Sequence, residues 1–505
     1  MIVVFLCLAS AVLGAIGIEW TPPLWWDEGW TLCVARTWVE QGHYGCLLEG
    51  KPAAPILSGH FPVVAPIAAS FSLFGVGIWQ ARVVGLTYTL LTFCVLWYVI
   101  SRLYDHKIAT ASLVVLLALP LDWYWHPIIM GRQVLGEMPM ICFLLAGYAC
   151  FLHVGRRWVW LGGAALCWGL ALMTKAQTLP FWVASMAMSL AILVWRREWP
   201  IAFRVALGTA GTVLCWYGLD GTKALWLAGH TASSAHAQAK GLAEAAALSL
   251  DLTTRRDALM LVLQNGLPAI IGLAYALWRL LQRLRVTSPL LIAEVVRTMY
   301  VMFAISWLGW FVGLSAGMPR YAFLIIVLGG PMLAAAISDW TGRFDIAGAW
   351  AKGRTLIRSG RWETGTSRLF VAVVLIAVLG LTSLYRTYLF SRWSDTDRSV
   401  VDAASFLNQS TPAQAKIETY ESELFLLLNR PYHYPPAQTN VGLLRRTYHN
   451  DPGAARYDWL NADPDYLVIG RFGRWLGQYR ELVEQGRIRH VRTIGLYEIY
   501  ERVRG

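Results

Sequence analysis

The first 29 residues, MIVVFLCLASAVLGAIGIEWTPPLWWDEG (residues 1–29), show what kind of protein this is. The apolar segment from Met1 to Ile18 is long enough to enter a bilayer, and two adjacent carboxylates, Asp27 and Glu28, follow it after a short linker. Adjacent acids beside a membrane are costly unless they accept a proton or hold a cation. The pattern therefore predicts an enzyme whose chemistry lies at the outer face of a membrane.

Composition extends this prediction to the whole chain. Of the 505 residues, 56% are hydrophobic and 15% are charged, which is far from the balance of a soluble domain. About eleven apolar stretches are long enough, or nearly so, to cross about 30 Å of hydrocarbon as helices. They are residues 1–18, 80–101, 108–123, 138–153, 159–174, 178–195, 203–219, 260–280, 298–316, 321–338 and 369–390.

We expect the first stretch to be a retained helix rather than a cleaved signal peptide, because its apolar run is long and no basic region precedes it. Basic residues in short loops predict the orientation of the helices. With eleven spans, five basic loops fall on one side, which is then the cytoplasm: Arg102/Lys107, Arg156/Arg157, Arg196/Arg197/Arg204, Arg279/Arg283/Arg285 and the run from Arg343 to Arg368. The N-terminus shares that side.

The remaining loops, 19–79, 124–137 and 220–258, then face outward with the tail after Arg392. The net charge of +12 is largely a consequence of this topology. Its basic residues are dispersed next to membrane helices, which argues against a nucleic-acid partner. We find no Walker loop, so an ATP-driven pump has no nucleotide site in this sequence.

A change of composition divides the chain in two. Residues 1–392 form a membrane body with catalytic outward loops at 19–79 and 124–137, and residues 393–505 form a soluble, extracytoplasmic domain. A helix near 398–408, strands near 415–420 and 466–469, and a hairpin over 488–503 are predicted in that domain. The fold class is thus an all-α polytopic membrane protein with a small C-terminal α/β domain.

The first outward loop contains a predicted helix. Trp30, Val34 and Trp38 fall at i, i+4 and i+8, which is one apolar stripe, and we expect it to lie in the membrane interface. Asp27 and Glu28 precede its first turn, where the helix dipole favours ionised carboxylates. The alternative is a helix cap plus a surface acid.

Two further groups in this loop are candidates. Glu49-Gly50-Lys51-Pro52 offers a lysine for a phosphate and an acid for a cation; the alternative is a loop salt bridge with a snorkelling lysine. Cys33 and Cys46 lie in the same loop and would pair if that compartment is oxidising.

Charged residues also interrupt apolar sequence at three other places. Arg132 and Glu137 lie in the second outward loop, and the alternative to a functional role is a buried ion pair between them. Arg320 opens a late apolar segment in Gly317-Met318-Pro319-Arg320-Tyr321. An arginine can bind a phosphate there through two hydrogen bonds, and the alternative is an interfacial anchor. Lys175 ends another helix on the same side.

Together these motifs resemble those of integral-membrane glycosyltransferases of the GT-C fold that use polyprenyl-phosphate sugars. The shared features are an Asp-Glu pair after the first helix, Gly50-Lys51-Pro52, the pattern from Gly131-Arg132 to Glu137-x-Pro139, and Arg320-Tyr321. The chain is similar to the protein O-mannosyltransferases and the lipid A aminoarabinose transferases over most of residues 1–340. The small outward domain suits bacterial members, which implies a bacterial inner membrane.

The resemblance implies roles for individual residues. Asp27 would be the catalytic base and Glu28 the neighbour that orients or tunes it. Lys51, Arg132 and Arg320 match basic positions near the lipid phosphate, and Lys175 is a further candidate for the phosphate. Glu137 matches an acid that in some members helps to bind a divalent metal such as Mg or Mn. Glu49 is a second candidate for the metal, although Gly50 separates it from the lysine that directly follows the acid in the aminoarabinose transferases.

The expected reaction is an inverting transfer of a hexosyl or pentosyl group from a polyprenyl-monophosphate donor to a hydroxyl of a glycan, lipid or protein acceptor. The alternative from another class is a transporter or flippase of lipid-linked saccharide, in which the same carboxylates would hold a proton or cation. Transporters usually place such groups near the midplane and often show inverted repeats, whereas these acids lie in loops and no repeat is visible. A catalytically silent membrane assembly subunit is a third interpretation.

Overall fold

Each predicted apolar segment contains a helix in the computed structural model, which describes residues 2–53, 60–120, 125–227, 249–345, 364–393, 398–449 and 458–504. The helices of the membrane body are α1 (Ile2–Ala15), α2 (Trp26–Gln41), α3 (Phe61–Phe74), α4 (Ile78–Leu103), α5 (His106–Ala118), α6 (Pro127–Arg132), α7 (Glu137–Phe151), α8 (Val159–Thr174), α9 (Leu179–Trp195), α10 (Trp199–Trp226), α11 (Leu252–Arg285), α12 (Ile292–Gly313), α13 (Pro319–Trp340) and α14 (Thr364–Trp393).

Seven helices of the described chain are long and apolar enough to cross a membrane. They are α4, α10, α11, α12 and α13, together with the segments Ala176–Trp195 and Val371–Ser391. Four other predicted spans correspond to shorter apolar helices, α1, α5, α7 and α8. Local signals set some of these ends: Asp105 caps α5 by accepting from the Ile108 N–H at 2.8 Å, and the helix stops before Pro120.

One apolar helix was not predicted. Helix α3 lies inside the loop 19–79, which we had expected to be a largely extramembrane loop. It has 14 residues, too few to be recognised as a span by its length, and Pro62 and Pro66 interrupt its sequence. Pro62 is accommodated because the first turn needs no N–H donor there.

Helix α2 forms where the tryptophan spacing predicted it, but the interpretation of its stripe as a membrane-interface face was wrong. Trp30 is 1% exposed and packs edge-on against Phe425 and Tyr434 of the C-terminal domain, with ring centroids 5.1 and 4.8 Å away. Trp38 contacts Trp226 at the end of α10. An apolar stripe shows that a face is covered, not what covers it.

Helices α11 and α13 cross with their backbones in close approach. A Cβ atom at Gly272 would lie 2.6 Å from the carbonyl oxygen of Gly329 and 2.4 Å from the nitrogen of Leu333. Small residues at a crossing allow the tight packing that holds membrane helices together. This crossing anchors the helix that carries Arg320 in its first turn.

The C-terminal domain has a mixed five-stranded sheet in the order β4-β3-β5-β7-β6. Its strands are β3 (Ile417–Thr419), β4 (Tyr432–His433), β5 (Tyr466–Ile469), β6 (Ile488–Ile494) and β7 (Tyr497–Arg502); a small hairpin in the first loop contains β1 (Leu47–Leu48) and β2 (Lys51–Pro52). Its helices are α15 (Ser399–Ser410), α16 (Ala437–His449), α17 (Arg471–Leu476) and α18 (Arg480–Glu484).

The sheet confirms that a small α/β domain ends the chain. Strand β3 is parallel to β4 and β5, whereas β5, β7 and β6 are antiparallel neighbours. The predicted first helix, two strands and final hairpin correspond to α15, β3, β5 and β6–β7. Strand β4 and helices α16–α18 had not been predicted. One continuous core joins the domain to α2 and α3, so the domain rests on the first loop.

Candidate active site

Asp27 and Glu28 lie in the first turn of α2, which begins at Trp26. The Glu28 carboxylate reaches back to accept from the Trp25 N–H at 3.3 Å, so it caps the helix that it belongs to. Both carboxylates thus lie at the helix end where the backbone N–H groups have no partner within the helix. The two neighbours then point to different partners.

Glu28 is fully engaged inside the protein. Its two oxygens accept from Nε and Nη2 of Arg82 at 2.9 Å each, and neither side chain of the pair is exposed. The same carboxylate accepts from the Val134 N–H at 3.2 Å, and Arg82 donates to the Ile18 carbonyl at 2.9 Å. Glu28 therefore ties α2 to α4 and to the segment between α6 and α7. It fixes the position of Asp27, its sequence neighbour.

Asp27 faces a different environment. Its carboxylate is 20% exposed and ion-paired with Arg320, which is 18% exposed. The Nε atom of Arg320 is also 4.0 Å from Oε1 of Glu137, so one guanidinium lies between two acids. Asp27 is therefore accessible and held beside a cation.

Lys175 completes this charged cluster, which we define as Asp27, Glu137, Lys175 and Arg320. Lys175 and Glu137 form an ion pair whose side chains are only 14% and 3% exposed. Lys175 and Arg320 both lie over the ring of Tyr321, each 5.2 Å from its centroid, a cation–π arrangement. The cluster is built from the ends of α2, α7, α8 and α13. It contains two cations and two anions, so its charge is balanced.

His60 lies next to the charged cluster, at the start of α3. The His60 ring packs against Gly136: a Cβ atom added to this glycine would lie 3.8 Å from Cδ2 of the imidazole. Burial and the nearby Lys175 ammonium lower the pKa of His60 to about 4, against the opposing effect of Glu137 and Asp27. The imidazole is therefore neutral at physiological pH and can accept or donate a hydrogen bond. The amino-acid sequence around His60 gives no motif that points to this residue.

Arg132 lies apart from the charged cluster. It is buried and donates to the Thr21 carbonyl at 3.3 Å and to the Leu13 carbonyl. It thus ties α6 to the end of α1. The alternative of an Arg132–Glu137 ion pair is wrong, because Glu137 is paired with Lys175 and Arg320.

Lys51 and Glu49 lie on the hairpin β1–β2. Lys51 is exposed and makes no ion pair with any carboxylate of the described chain. Glu49 accepts from Lys416 of the C-terminal domain at 3.3 Å, and its N–H donates to the Tyr432 carbonyl at 2.7 Å. The hairpin is therefore bound to the C-terminal domain, and Glu49 is not brought to Glu137.

The positions of Glu137 and Glu49 decide whether these two acids can bind the predicted divalent metal together. Within the described ranges, no group of three or more His, Cys, Asp and Glu side chains is arranged to hold a metal ion. Glu137 already has Lys175 and Arg320 as counter-charges, and Glu49 has Lys416. The described residues therefore do not form a set of metal ligands.

Cys33 and Cys46 form a disulfide with a Cα–Cα separation of 5.5 Å, which is an ordinary value for such a bond. The bridge joins the middle of α2 to the chain just before β1. The Cys33 sulfur is also 3.1 Å from the Tyr432 hydroxyl. The bond thereby braces the loop that carries Asp27 against the C-terminal domain.

Gly313-Leu314-Ser315-Ala316-Gly317 fits the G-x-S-x-G pattern of serine hydrolases, whose serine lies on a sharp turn between a strand and a helix. Here the segment joins two helices, α12 and α13. Ser315 is buried, donates to the Phe311 carbonyl at 2.9 Å and accepts from the Gly317 N–H at 3.0 Å. It closes a helix end and is not presented as a nucleophile.

Known proteins match part of this sequence and share its fold. Residues 60–216, less than half of the chain, match the family model of dolichyl-phosphate-mannose-protein mannosyltransferase. No curated protein sequence matches the chain.

Solved structures with this architecture include ArnT from Cupriavidus metallidurans bound to undecaprenyl phosphate. It matches with a TM-score of 0.62 at 16% identity, over 99% of this chain and 98% of that one. AglB, the oligosaccharyltransferase of Archaeoglobus fulgidus, in complex with an inhibitory peptide and a dolichol-phosphate, matches with a TM-score of 0.56 at 12% identity, over 99% and 74%. The complex of the Archaeoglobus fulgidus oligosaccharyltransferase with Zn and sulfate matches with a TM-score of 0.51 at 13% identity, over 92% and 68%.

At these identities the likeness establishes the fold. It agrees with the fold that the motifs around Asp27, Glu137 and Arg320 had led us to expect. The chain is a polytopic membrane protein with the GT-C fold of ArnT and AglB.

Proposed function

We propose that this protein is an inverting glycosyltransferase that moves a sugar from a polyprenyl-monophosphate donor to an acceptor hydroxyl at the outer face of a membrane. The charged cluster carries the proposal. It joins an accessible carboxylate, Asp27, to two cations suited to a phosphate, Arg320 and Lys175. A base beside a phosphate site is what this reaction requires.

The donor would bind with its phosphate at Arg320 and Lys175. Both cations stand over one aromatic ring, that of Tyr321, and each is paired with an acid. An incoming phosphate diester would compete with Asp27 for the Arg320 guanidinium, because arginine binds phosphate and carboxylate with the same paired N–H groups. Donor binding would thereby release Asp27 to act as the base.

In the transfer step the acceptor oxygen attacks the anomeric carbon from the face opposite the phosphate. The bond between that carbon and the phosphate oxygen breaks, and its electron pair stays on the leaving polyprenyl phosphate. The hydroxyl proton passes to the Asp27 carboxylate. The leaving phosphate gains a negative charge, which Arg320 and Lys175 stabilise; such preorganised electrostatic stabilisation is usually the largest catalytic contribution.

Glu28 and Arg82 would keep Asp27 in place, and the two buried hydrogen bonds between their side chains support this role. Neutral His60 is available to hydrogen-bond a sugar or acceptor hydroxyl. Lys51 and Arg132 stay predicted phosphate contacts, and a divalent ion at Glu137 stays a prediction. The Zn and sulfate complex of the archaeal oligosaccharyltransferase is a reason to test for a metal.

The proposal places the protein in a bacterial inner membrane with its N-terminus in the cytoplasm. The first loop and residues 393–505 would be extracytoplasmic, and residues 1–392 would form the membrane body. The loop charges support this orientation. The charged cluster and the C-terminal domain lie at the same end of the helices, which supports placing both on the same side of the membrane. The acceptor would be a glycan, lipid or protein hydroxyl, and the transferred group a hexose or pentose.

The test uses purified wild-type protein beside Asp27→Asn, each incubated with the total lipid and envelope extract of the native host. Mass spectrometry follows the glycosyl polyprenyl phosphates and the bare polyprenyl phosphate that is their product. We expect product from the wild type alone, and the mass lost from the donor would identify the sugar. Full turnover by folded Asp27→Asn would remove Asp27 as the base. An unchanged lipid pool in both samples would favour the transporter.

A further inference from the structure

The C-terminal domain touches the backbone on either side of Asp27. The Trp26 indole N–H donates to the Tyr420 carbonyl at 3.1 Å. In the opposite direction, the Ser422 hydroxyl donates to the Trp26 carbonyl at 2.5 Å. Ser422 is completely buried, whereas Trp26 is half-buried. The residue directly before Asp27 is thus bonded to the domain through both its side chain and its main chain.

The contact is equally close on the other side of Asp27. A Cβ atom at Gly29 would lie 2.3 Å from the carbonyl carbon and oxygen of Ser422. Only glycine permits this approach between the first turn of α2 and the short helical turn Ser422–Leu424. The two backbones are in direct contact two residues beyond Asp27.

A second route runs through Glu421. Its buried carboxylate accepts from the N–H groups of Gly470 at 2.9 Å, Phe472 at 3.1 Å and Gly473 at 2.6 Å. These donors surround the start of α17, so the carboxylate fixes where Phe472 stands. The Phe472 ring packs edge-on against Trp25, with centroids 5.1 Å apart. Glu421 therefore acts on Trp25 through Phe472.

Both routes converge on the segment Trp25–Gly29. Glu28 and Arg82 hold this segment from the side of the membrane body, whereas Ser422 and Phe472 hold it from the side of the C-terminal domain. A base must be held within a fraction of an ångström of its productive position, and a displacement of about 1 Å can cost about 10²-fold in rate.

We propose that Ser422 and Glu421 are positioning residues for Asp27, so that the C-terminal domain is an integral part of the catalytic site. This inference rests on the proposed function, because it takes Asp27 to be the base. In the proposed reaction no side chain of the C-terminal domain accepts the proton or binds the phosphate. It holds the first turn of α2 in the position from which Asp27 meets the acceptor hydroxyl and Arg320.

The experiment compares Ser422→Ala and Glu421→Gln with two controls in the same domain, Ser410→Ala and Glu484→Gln. Both control residues are exposed, and Glu484 pairs with Arg480 at the surface. The full chain is purified in each case. Turnover per folded molecule is measured with glycosyl polyprenyl phosphate from the native host, and affinity is measured with undecaprenyl phosphate alone.

We expect turnover to fall about 10-fold in Ser422→Ala and about 100-fold in Glu421→Gln, with the affinity for undecaprenyl phosphate unchanged and both controls like the wild type. Glu421→Gln places an amide N–H against backbone N–H donors, so its effect should be the larger. If that variant does not fold, Ser422→Ala, which removes one hydroxyl, decides the question.

Wild-type turnover in Ser422→Ala and Glu421→Gln would overturn the inference. So would equal losses of turnover and of undecaprenyl phosphate affinity, because that pattern indicates general damage to the fold. The proposed function fails separately. If folded Asp27→Asn turns over normally, the base is misassigned; if Asp27→Asn is inactive while both domain variants are normal, only the positioning role falls.

Discussion

The carboxylate of Asp27 is ion-paired with the guanidinium of Arg320, which lies 293 residues further along the chain. The pair joins the first turn of α2 to the first turn of α13 and brings the proposed base to the cation that we propose binds the donor phosphate. The partner that stabilises Asp27 before the donor binds is thus the one that the donor phosphate would engage.

Arg320→Gln should lower turnover about 10²–10³-fold, because it removes one preorganised donor to the leaving phosphate. Arg320→Lys should recover part of that loss, since it restores the charge but not the paired N–H groups. The measurement is kcat with the native donor, beside the affinity for undecaprenyl phosphate. Equal activity of Arg320→Gln and the wild type would remove Arg320 from the phosphate site.

Lys175→Met should weaken binding of undecaprenyl phosphate by about 10-fold or more, because a hydrogen bond to a charged group contributes about 1.5–3 kcal/mol. It also leaves Glu137 with Arg320 as its remaining counter-charge. Lys107→Met, which alters an exposed lysine at the opposite end of the helices, is the control and should bind normally. Isothermal titration in detergent micelles measures both affinities, and unchanged binding by Lys175→Met would contradict this assignment.

Arg82→Met should destabilise the protein by about 3–5 kcal/mol, because it leaves the Glu28 carboxylate buried without its partner. Adding Glu28→Gln should restore much of this stability, since the remaining side chain is neutral. Thermal unfolding of the single and double variants gives the comparison. A double variant as unstable as Arg82→Met would show that packing, not the unpaired charge, causes the loss.

Loss of the Cys33–Cys46 bridge should destabilise the protein by about 3 kcal/mol, the value for a closed loop of about 15 residues. We expect the double variant Cys33→Ser/Cys46→Ser to unfold at a lower temperature than the wild type in the absence of reductant, and reductant should remove most of the difference. Cys94→Ala, at an unbridged cysteine, should behave as the wild type. An unchanged unfolding temperature in the double variant would mean that the bridge adds no stability.

The C-terminal domain should lose stability as the pH rises. Burial and the neighbouring Glu421 carboxylate raise the pKa of Glu423 well above its ordinary value of 4.5. At pH values above 4.5 and below the raised pKa, Glu423 is protonated in the folded chain and ionised in the unfolded one. The unfolded chain then binds fewer protons, so the free energy of unfolding falls with increasing pH. Glu423→Gln should unfold with a weaker dependence between pH 5 and 8, whereas Glu484→Gln should not. An identical dependence in Glu423→Gln would show that this carboxyl does not remain protonated.

Much of the fold could be predicted because the signals are local. Each apolar run that we predicted as a span contains a helix in the described part of the chain, and alternation located the final hairpin. The tryptophan spacing located α2. Helix α3 was missed because its 14 residues, two of them prolines, are too few to be recognised as a membrane span. Strand β4 was missed because a strand of two residues is too short to show an alternation of apolar and polar residues.

The candidate site was predictable in its members but not in its pairings. Asp27, Glu137, Lys175 and Arg320 were all identified as charges that interrupt apolar sequence. That Glu137 would meet Lys175 and Arg320 rather than Arg132 could not be inferred, because that choice depends on which helix ends are adjacent in space.

The sequence by itself determined a polytopic membrane protein with acids and cations gathered at its helix ends, because a bilayer imposes apolar length on each helix separately. Only the tertiary structure decided which of those charges meet and that Ser422 and Glu421 support the segment around Asp27. Contacts between residues almost 300 or 400 positions apart follow from helix crossings such as that of Gly272 and Gly329. Such crossings depend on the shapes of two surfaces together, and no single stretch of sequence contains both.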